Sequence, residues 1–339
     1  MSTYKKEVGT AVQNAAGTLS GVIEGQLWYN STAGSFQFRS FTTAGAWATA
    51  TSINTARRTL ATSVQSPVSS VLAYGGNNPG GTVEGETEQY NGTTWTELAD
   101  LNTARGSGSG GGTNTAALYT GGYLGPPGST GVVESWNGSS WAEVADLNTA
   151  RYDSGGGVGS NTANLVTGGL STPPTTVHGQ VEQWNGTSWT EVTDLNSSRY
   201  SSGAAGESYT SAIVAAGGNP GFAAVANVET WNGTSWTETT DVNTARRGLG
   251  SGGTQTSAII FGGAIPAPAK TGATEIWNGT SWTEDTDLNT ARDNTRSGGG
   301  ITATSSAIAV AGNIDPGSTA AVEEWTGAGA PVTETITTS

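Results

Sequence analysis

Aspartate carboxylates recur at a constant place in a repeated motif. An Asp stands two residues before the Asn in most copies of Asn-Thr-Ala-Arg, at Asp100, Asp146, Asp194, Asp241 and Asp287. A ring of carboxylates would supply the hard oxygen ligands that Ca²⁺ prefers. Alternatively, the Asp and Asn cap a turn while the Arg pairs with a repeated Glu such as Glu134 or Glu182. We favour this second interpretation, because a feature of every repeat generally serves the repeat, and we predict no metal site.

Side chains for covalent or redox catalysis are scarce. The chain has one histidine, His178, and no cysteine, so it lacks a thiolate nucleophile and soft metal ligands. The motifs Gly-x-Ser-x-Gly and His-Glu-x-x-His are absent, and the Gly-rich stretches lack the strand-turn-helix context of a phosphate loop. A glycosidase-type carboxylate pair has no specific support. We therefore predict that the protein is not an enzyme and uses no cofactor.

The composition favours strands and limits the possible partners. Among 339 residues there are 52 Gly and 12 Trp, and the charged residues make up 12% of the chain. Thr, Ser, Val and Trp favour strands, whereas the residues that fill helices are few. A net charge of −14 disfavours nucleic acid. No run of about 18 apolar residues suggests membrane insertion, and no secretory signal is recognisable. We expect an all-β chain.

The Asn-Thr-Ala-Arg motif marks an internal repeat. Its arginines are Arg57, Arg105, Arg151, Arg199, Arg246 and Arg292, the fourth of which follows Asn-Ser-Ser. Successive arginines are 48, 46, 48, 47 and 46 residues apart. Such a regular period is typical of repeat architectures built from one supersecondary unit.

Each repeat also contains the signals of four short strands, which we name A to D. A Gly/Ser-rich segment is followed by an apolar run that ends in a Gly pair, as at Gly121-Gly122. Next comes Glu-x-aromatic-Asn-Gly-x-x-Trp, as from Glu134 to Trp141. Asn-Gly between two such runs predicts a tight hairpin, because both residues tolerate positive φ. The Gly pairs of the other repeats are Gly75-Gly76, Gly168-Gly169, Gly217-Gly218 and Gly262-Gly263, with Ala311-Gly312 as a relaxed copy.

These markers resemble Kelch repeats, although Trp stands where Kelch repeats usually have Tyr. The resemblance implies a Kelch-like β-propeller, in which each repeat is one four-stranded blade. Residues 57–339 then form six blades, which are 57–104, 105–150, 151–198, 199–245, 246–291 and 292–339.

Residues 1–56 are predicted to form a seventh, diverged blade, with an adaptor hairpin beside a six-bladed ring as the alternative. The strands of the seventh blade would be Gly9–Val12, Gln26–Asn30, Phe36–Phe41 and Trp47–Ile53. Val332–Thr335 would supply strand D of the last blade.

The loops between strands B and C vary most between repeats and would share one face with the D-to-A connections. Binding sites are commonly built from variable loops on a rigid frame. Three residues in this loop set could contact a ligand or partner, namely Tyr123, His178 and Phe222. The alternative is that they pack only against their own loops or a neighbouring subunit.

The segment from Gly25 to Thr32, together with the Trp-Asn-Gly-Thr-Ser-Trp-Thr-Glu blades, resembles virion proteins of tailed phages, especially marine ones. The resemblance implies a structural protein of a tail, fibre or surface appendage, located in the virion. Its expected partners are other virion subunits in an oligomeric assembly and a host-surface glycan or protein. The alternative is a cytoplasmic Kelch-type scaffold for protein–protein interaction.

Overall fold

The computed structural model describes residues 13–17, 26–41, 44–126, 128–155, 157–266, 269–298, 304–315, 317–329 and 331–335. The regular elements in these residues are all β-strands. Across these ranges there is no helix long and apolar enough to cross a membrane.

The strands are numbered in chain order. They are β1 (Gln13–Ala15), β2 (Leu27–Asn30), β3 (Ser35–Phe41), β4 (Ala46–Ala50), β5 (Ala61–Thr62), β6 (Leu72–Tyr74), β7 (Thr87–Tyr90), β8 (Trp95–Glu97), β9 (Ser109–Thr113), β10 (Ala116–Tyr123), β11 (Ser129–Trp136), β12 (Trp141–Val144), β13 (Val158–Gly159), β14 (Asn164–Ser171), β15 (Thr176–Trp184), β16 (Trp189–Val192), β17 (Gly203–Ser208), β18 (Ser211–Ala215), β19 (Val228–Trp231), β20 (Trp236–Thr239), β21 (Gly250–Gly253), β22 (Ala258–Phe261), β23 (Thr274–Trp277), β24 (Trp282–Asp285), β25 (Arg296–Gly298), β26 (Ser306–Ile314), β27 (Gly317–Thr326) and β28 (Pro331–Thr335).

The strands form seven four-stranded sheets, which confirms the predicted all-β fold and its number of sheets. The chain divides into two compact units. Residues 46–325 form the larger unit, which contains six of the sheets, and residues 1–45 with 326–339 form the smaller one. The larger unit is called the ring below.

The six sheets of the ring are named I to VI in chain order. Sheets I to V are β5–β8, β9–β12, β13–β16, β17–β20 and β21–β24, and sheet VI has the order β25-β26-β27-β4. The first strand of each sheet contacts the first strand of the next, and β25 contacts β5. The inner strands therefore close a circle around one axis.

Crowding at this axis explains the Gly-rich inner strands. A Cβ atom on Gly157 would lie 1.9 Å from the carbonyl oxygen of Gly110 in the neighbouring sheet. A Cβ atom on Gly110 would in turn lie 2.2 Å from the carbonyl oxygen of Thr62. Any larger residue would push adjacent sheets apart.

Tryptophans fill the spaces between neighbouring sheets. Trp136 and Trp141 face each other across an Asn-Gly hairpin of sheet II, with ring centroids 5.4 Å apart. They pack in one buried cluster with Leu72 and Tyr74 of sheet I. The indole Nε1 of Trp141 also donates to Thr87 Oγ1 of sheet I at 3.0 Å. Each such pair therefore seals a contact between two sheets.

The smaller unit has a sheet of different topology. Its order is β1-β2-β3-β28, with β1 and β2 parallel and the other pairs antiparallel. Trp28 on β2 is buried, and the side chain of Asn30 donates to Gln37 Oε1 at 3.1 Å. The predicted strands at Gln26–Asn30 and Phe36–Phe41 correspond to β2 and β3. Gly9–Val12 lies outside the described residues.

Two predicted outer strands were assigned to the wrong sheets. The segment Trp47–Ile53, expected in the N-terminal blade, supplies β4 to sheet VI. Val332–Thr335, expected in the last blade, lies in β28 and pairs with β3 in the smaller unit. Both segments contain β-branched residues that favour a strand, but neither has a strict apolar–polar alternation that would specify its pairing partner.

Replacement of Trp47 by Ala tests the role of β4 in the ring. Trp47 is buried against Phe261 and Trp325, and it donates to Thr274 Oγ1 at 3.0 Å. Trp47→Ala should lower the free energy of unfolding by about 3–5 kcal/mol, the usual cost of removing a buried Trp. Denaturant unfolding measures this loss. Ala48→Ser, at the exposed neighbouring position, is the control, and equal stability of the two variants would contradict the assignment of β4.

Candidate functional site

The candidate site is the B–C face of the ring. This face carries the loops between the second and third strands of each sheet, together with the connections that enter each inner strand. Its foundation is a buried ion pair in every sheet. The arginine of each entering connection contacts a glutamate on the third strand. The six pairs are Arg57–Glu88, Arg105–Glu134, Arg151–Glu182, Arg199–Glu229, Arg246–Glu275 and Arg292–Glu323.

Each buried carboxylate also holds the backbone of the connection. In sheet II, Glu134 lies 2.5 Å from Arg105 Nη1 and accepts the backbone N–H of Asn102 at 2.8 Å. Equivalent Asn N–H bonds of 2.7–2.8 Å occur in the other five sheets. The predicted pairing of the repeated Arg with a repeated Glu is therefore confirmed.

The five repeated aspartates are exposed. Asp287 accepts a backbone N–H from Thr274 at 3.4 Å. Within the described ranges, no group of three or more His, Cys, Asp or Glu side chains is arranged to hold a metal ion.

The Gly pairs connect neighbouring sheets. Gly75 and Gly76 have φ of 63° and 109°, and Gly76 donates its N–H to the carbonyl of Arg105 in the next sheet at 3.0 Å. The corresponding bonds of the other sheets are 2.8–3.0 Å long, and Gly312 closes the circle by donating to Arg57. In sheet IV the bonded pair is Ala216-Gly217, so the predicted pair Gly217-Gly218 was one residue too far along the chain.

Besides the hydrogen bonds of the Gly pairs, six residues of the entering connections form a circle of hydrogen bonds around the axis of the ring. The sequence did not predict this circle. Its six residues each follow a buried arginine by two positions and have φ between 48° and 65°. Each donates its N–H to the carbonyl of its counterpart in the preceding sheet, at 2.6–3.2 Å. The residues are Thr59, Ser107, Asp153, Ser201, Gly248 and Asn294. The available signal was that five of these residues are Ser, Asp, Gly or Asn, which are frequent in turns, whereas the β-branched Thr59 gives no such signal.

One residue stands between each buried arginine and the next member of this circle. It varies from sheet to sheet, and it lies on the B–C face. These residues form isolated bridges with the start of the B–C loop of the same sheet. The pairs are Arg58–Asn77, Gly106–Tyr123, Tyr152–Leu170, Tyr200–Gly218, Arg247–Ala264 and Asp293–Asn313. The B–C face therefore takes its chemistry from two positions in each sheet, and the sequence analysis considered only the loop.

Three cavities open on the B–C face and follow one another around it. Cavity 1, of about 440 Å³, is lined by Tyr123 and Tyr152 among others. Cavity 2, of about 420 Å³, shares Tyr152 with it and reaches Asp153 and Asn294 of the inner circle. Cavity 3, of about 530 Å³, shares Phe222, Arg247 and Asp293 with cavity 2. These volumes are in the range of small-molecule sites.

Aromatic side chains line these cavities in pairs. The rings of Tyr123 and Tyr152 are 5.3 Å apart, and those of Tyr200 and Phe222 are 5.7 Å apart. Phe222 remains 51% exposed, which leaves much of its ring surface for a ligand. The guanidinium of Arg247 lies over the Tyr200 ring, 5.7 Å from its centroid, and donates to the Tyr200 hydroxyl and to the Phe222 carbonyl. Arg247 thus holds the second aromatic pair in place.

Burial changes the ionisation of several groups on this face. It raises the pKa of Tyr152 and of Tyr200, although Arg247 opposes the increase at Tyr200. Burial also raises the pKa of Asp293, against the effects of its hydrogen bond from Asn313 Nδ2, at 2.9 Å, and of the charge on Lys270. Lys270 forms an ion pair with Asp315 at 2.5 Å. The face therefore combines aromatic rings with both signs of charge.

The three predicted contact residues have different surroundings. Tyr123 lines cavity 1, and Phe222 lines cavities 2 and 3. His178 lies on β15 and lines none of these three cavities; its Nε2 is 2.9 Å from Ser171 Oγ. Tyr152, Tyr200 and Arg247 join Tyr123 and Phe222 in the site.

A circle of four-stranded sheets whose variable loops collect on one face defines a β-propeller. A solved structure titled "Structure of YjhT" is similar to this chain, with a TM-score of 0.67 and 12% sequence identity. The match covers 82% of this chain and 95% of the other. This similarity concerns the fold alone. No protein-family model and no curated protein sequence matches the chain.

The buried ion pair of sheet II can be tested with a matched control on the opposite strand. Glu134 is buried, whereas Glu143, its partner in the β11–β12 register, is exposed. Glu134→Ala leaves Arg105 buried without its counter-ion, which should cost about 3–5 kcal/mol of unfolding free energy. Glu143→Ala should change it by no more than about 0.5 kcal/mol. Denaturant unfolding compares the two, and equal losses would contradict a special role of the buried pair.

The single histidine gives a pH-dependent prediction. Burial, aided by nearby Arg151, lowers the pKa of His178, so the unfolded chain binds its proton more readily than the folded chain. The contribution of neutral His178 to the unfolding free energy is fully present above the pKa of the unfolded chain, about 6.5. It is lost as the pH falls through the lower pKa of the folded chain. NMR titration should give a folded pKa below about 6.5.

The unfolding free energy of the parent protein should fall as the pH is lowered from about 7 to about 5. In His178→Asn this loss should be smaller, because the titrating ring is absent. A folded pKa at or above the ordinary value, or identical pH profiles of the two proteins, would show that the folded state does not disfavour the charged ring.

Proposed function

We propose that the protein is a non-enzymatic structural component of a phage virion, in a tail, fibre or surface appendage. It contacts a glycan on the host surface through the B–C face. The observation that carries the proposal is the row of three adjoining cavities lined by aromatic pairs and charged side chains. Other virion subunits are its remaining partners, and it works without a metal or cofactor.

The cavities support a carbohydrate ligand in particular. Aromatic rings bind the apolar faces of sugars, and polar groups beside them bind the hydroxyls. Tyr123 and Tyr152 supply one such surface, while Tyr200 and Phe222 supply a second one beside Asp293 and Asn294. The inner circle of hydrogen bonds fixes the backbone beneath these side chains. Such a site can recognise a repeating saccharide at successive points.

The location in a virion is supported by the sequence resemblance to virion proteins of tailed phages. Mass spectrometry of purified particles tests it directly, and we expect peptides of this chain in washed virions. If the chain is absent from particles and binds a soluble cellular protein, an interaction scaffold in the cytoplasm is favoured instead.

Replacement of the cavity-lining rings of Tyr123 and Phe222 tests the role of the B–C face in attachment. The double variant Tyr123→Ser/Phe222→Ser should reduce adsorption of the protein to host cells at least about ten-fold, because loss of each stacked ring costs on the order of 1 kcal/mol or more. Adsorption is measured with labelled protein, beside a thermal melt that should change little.

Phe36→Ser is the matched control, because Phe36 is a similarly exposed phenylalanine of the smaller unit. A folded double variant that adsorbs as well as the parent protein would eliminate these rings as the host contact. His178→Ser, which lies outside the three cavities, should also leave adsorption unchanged.

A further inference from the structure

Within the part of the ring whose side chains the structure describes, the positive charge that is not buried lies on the B–C face. Among the lysines and arginines of the ring whose side chains the structure describes, six are the arginines buried against glutamates. The other three are Arg58, Arg247 and Lys270, and all lie at the B–C loops or their entering connections. The segregation of charge therefore follows from the use of most arginines inside the sheets.

The outer rim of the ring is acidic. Ten exposed carboxylates stand on the outer strands and directly after them. They are Glu97, Glu143, Glu191, Glu238 and Glu284 together with Asp100, Asp146, Asp194, Asp241 and Asp287. The five aspartates belong to the entering connections at the edge of the B–C face, so an anionic ligand is repelled there and is attracted only locally, where Arg58, Arg247 and Lys270 lie.

Two of the three cations line the same cavity. Arg247 and Lys270 both belong to cavity 3, beside Phe222, Asp293 and Asn313. The two side-chain hydrogen bonds that Arg247 makes within the described chain both leave from Nη1. Its Nε–Nη2 edge is the fork that binds a carboxylate through two parallel hydrogen bonds.

Lys270 can exchange its present partner for a ligand. Its side chain is only 12% exposed, whereas the side chain of Asp315 is 81% exposed. An ion pair with so exposed a partner contributes little stability, so a ligand carboxylate can replace Asp315 at a small cost. Asp293, which accepts a hydrogen bond from Asn313, has oxygen atoms that can accept hydrogen bonds from sugar hydroxyls.

We propose that cavity 3 binds a saccharide that carries a carboxylate, the uronate class of sugar. Arg247 and Lys270 bind the carboxylate, Phe222 contacts the apolar face of the sugar ring, and Asp293 with Asn313 binds its hydroxyls. This inference rests on the proposed glycan-binding function and names the class of glycan. Phe222 lies beside the two cations in cavity 3 and offers a surface for a sugar ring, which a simple inorganic anion would not use.

The test compares trigalacturonic acid with its methyl ester, which has the same rings without the charge. Isothermal titration calorimetry on the full chain should give at least ten-fold tighter binding of the acid. Arg247→Gln and Lys270→Gln should each weaken binding of the acid at least ten-fold. Lys270→Gln should leave binding of the ester within about two-fold, whereas Arg247→Gln also releases Tyr200 and Phe222 and should weaken binding of both saccharides. Arg58→Gln removes the same charge from the same face outside cavity 3 and should leave both affinities unchanged.

Lys270→Gln keeps the inference testable if Arg247→Gln does not fold, because the ion pair that it removes is with an exposed carboxylate and contributes little stability. Equal affinity for acid and ester, or equal loss in the Arg58 variant, would overturn the uronate assignment while the proposed glycan-binding function stands. Inorganic sulfate that competes as well as the acid would show an anion site and would also overturn it. No binding of either saccharide, or of neutral sugars on a glycan array, would overturn both proposals.

Discussion

The arrangement of the ring depends on a glutamate carboxylate that is buried in every sheet. Glu134 illustrates the constraint, because it contacts the guanidinium of Arg105 and the backbone N–H of Asn102 in the same connection. Burial of two charges carries a large desolvation cost, which is offset only when geometry is good and the remaining hydrogen-bonding groups are satisfied. Arg105 meets this condition with further bonds to the carbonyls of Gly121 and Thr103. The connection therefore has one stable path into the next sheet.

The same interaction determines the surface charge. Six arginines are buried in ion pairs inside the sheets, so they do not balance the exposed carboxylates of the outer strands. The surface of the outer strands is therefore strongly acidic. Arg247 and Lys270 lie at the B–C loops, in a cavity that Phe222 also lines. A net charge of −14 thus conceals a face with both signs of charge. Charge distribution, rather than net charge, indicates which ligands this face can attract.

The sequence predicted the repeats, the hairpins and the Arg–Glu pairs because each depends on local signals. The positive φ required by Asn-Gly is encoded within two residues, and the Arg and Glu of each pair belong to motifs that recur once in every repeat. Local signals could not predict that β4 completes sheet VI and that β28 joins the sheet of the smaller unit. The segments around Trp47 and Val332 are both rich in Thr and favour a strand without specifying its partner, so pairing with β27 or β3 is decided by tertiary contacts.

The candidate site was predicted only in part for a related reason. Phe222 stands in one B–C loop and Tyr123 ends the strand that precedes another, and the length and sequence of these loops vary visibly. Tyr152, Tyr200 and Arg247 directly follow the recurrent arginines, where the regular motif conceals a variable position. Their proximity to the loops results from the bridges that join each connection to its own B–C loop. A spatial neighbour of this kind has no signature in linear spacing.

Closure of the ring gives the B–C face its rigidity. Sheet VI is completed by β4, which precedes the other ring strands in the chain, and Gly312 donates to Arg57 across the same junction. Each inner residue of the hydrogen-bonded circle is therefore held from both sides, with no free end at which the circle could open. Side chains above it, such as Arg247 over Tyr200, are already ordered before a ligand arrives. Since ordering of side chains is a major cost of association, a closed ring allows modest contacts in each cavity to add up to useful affinity.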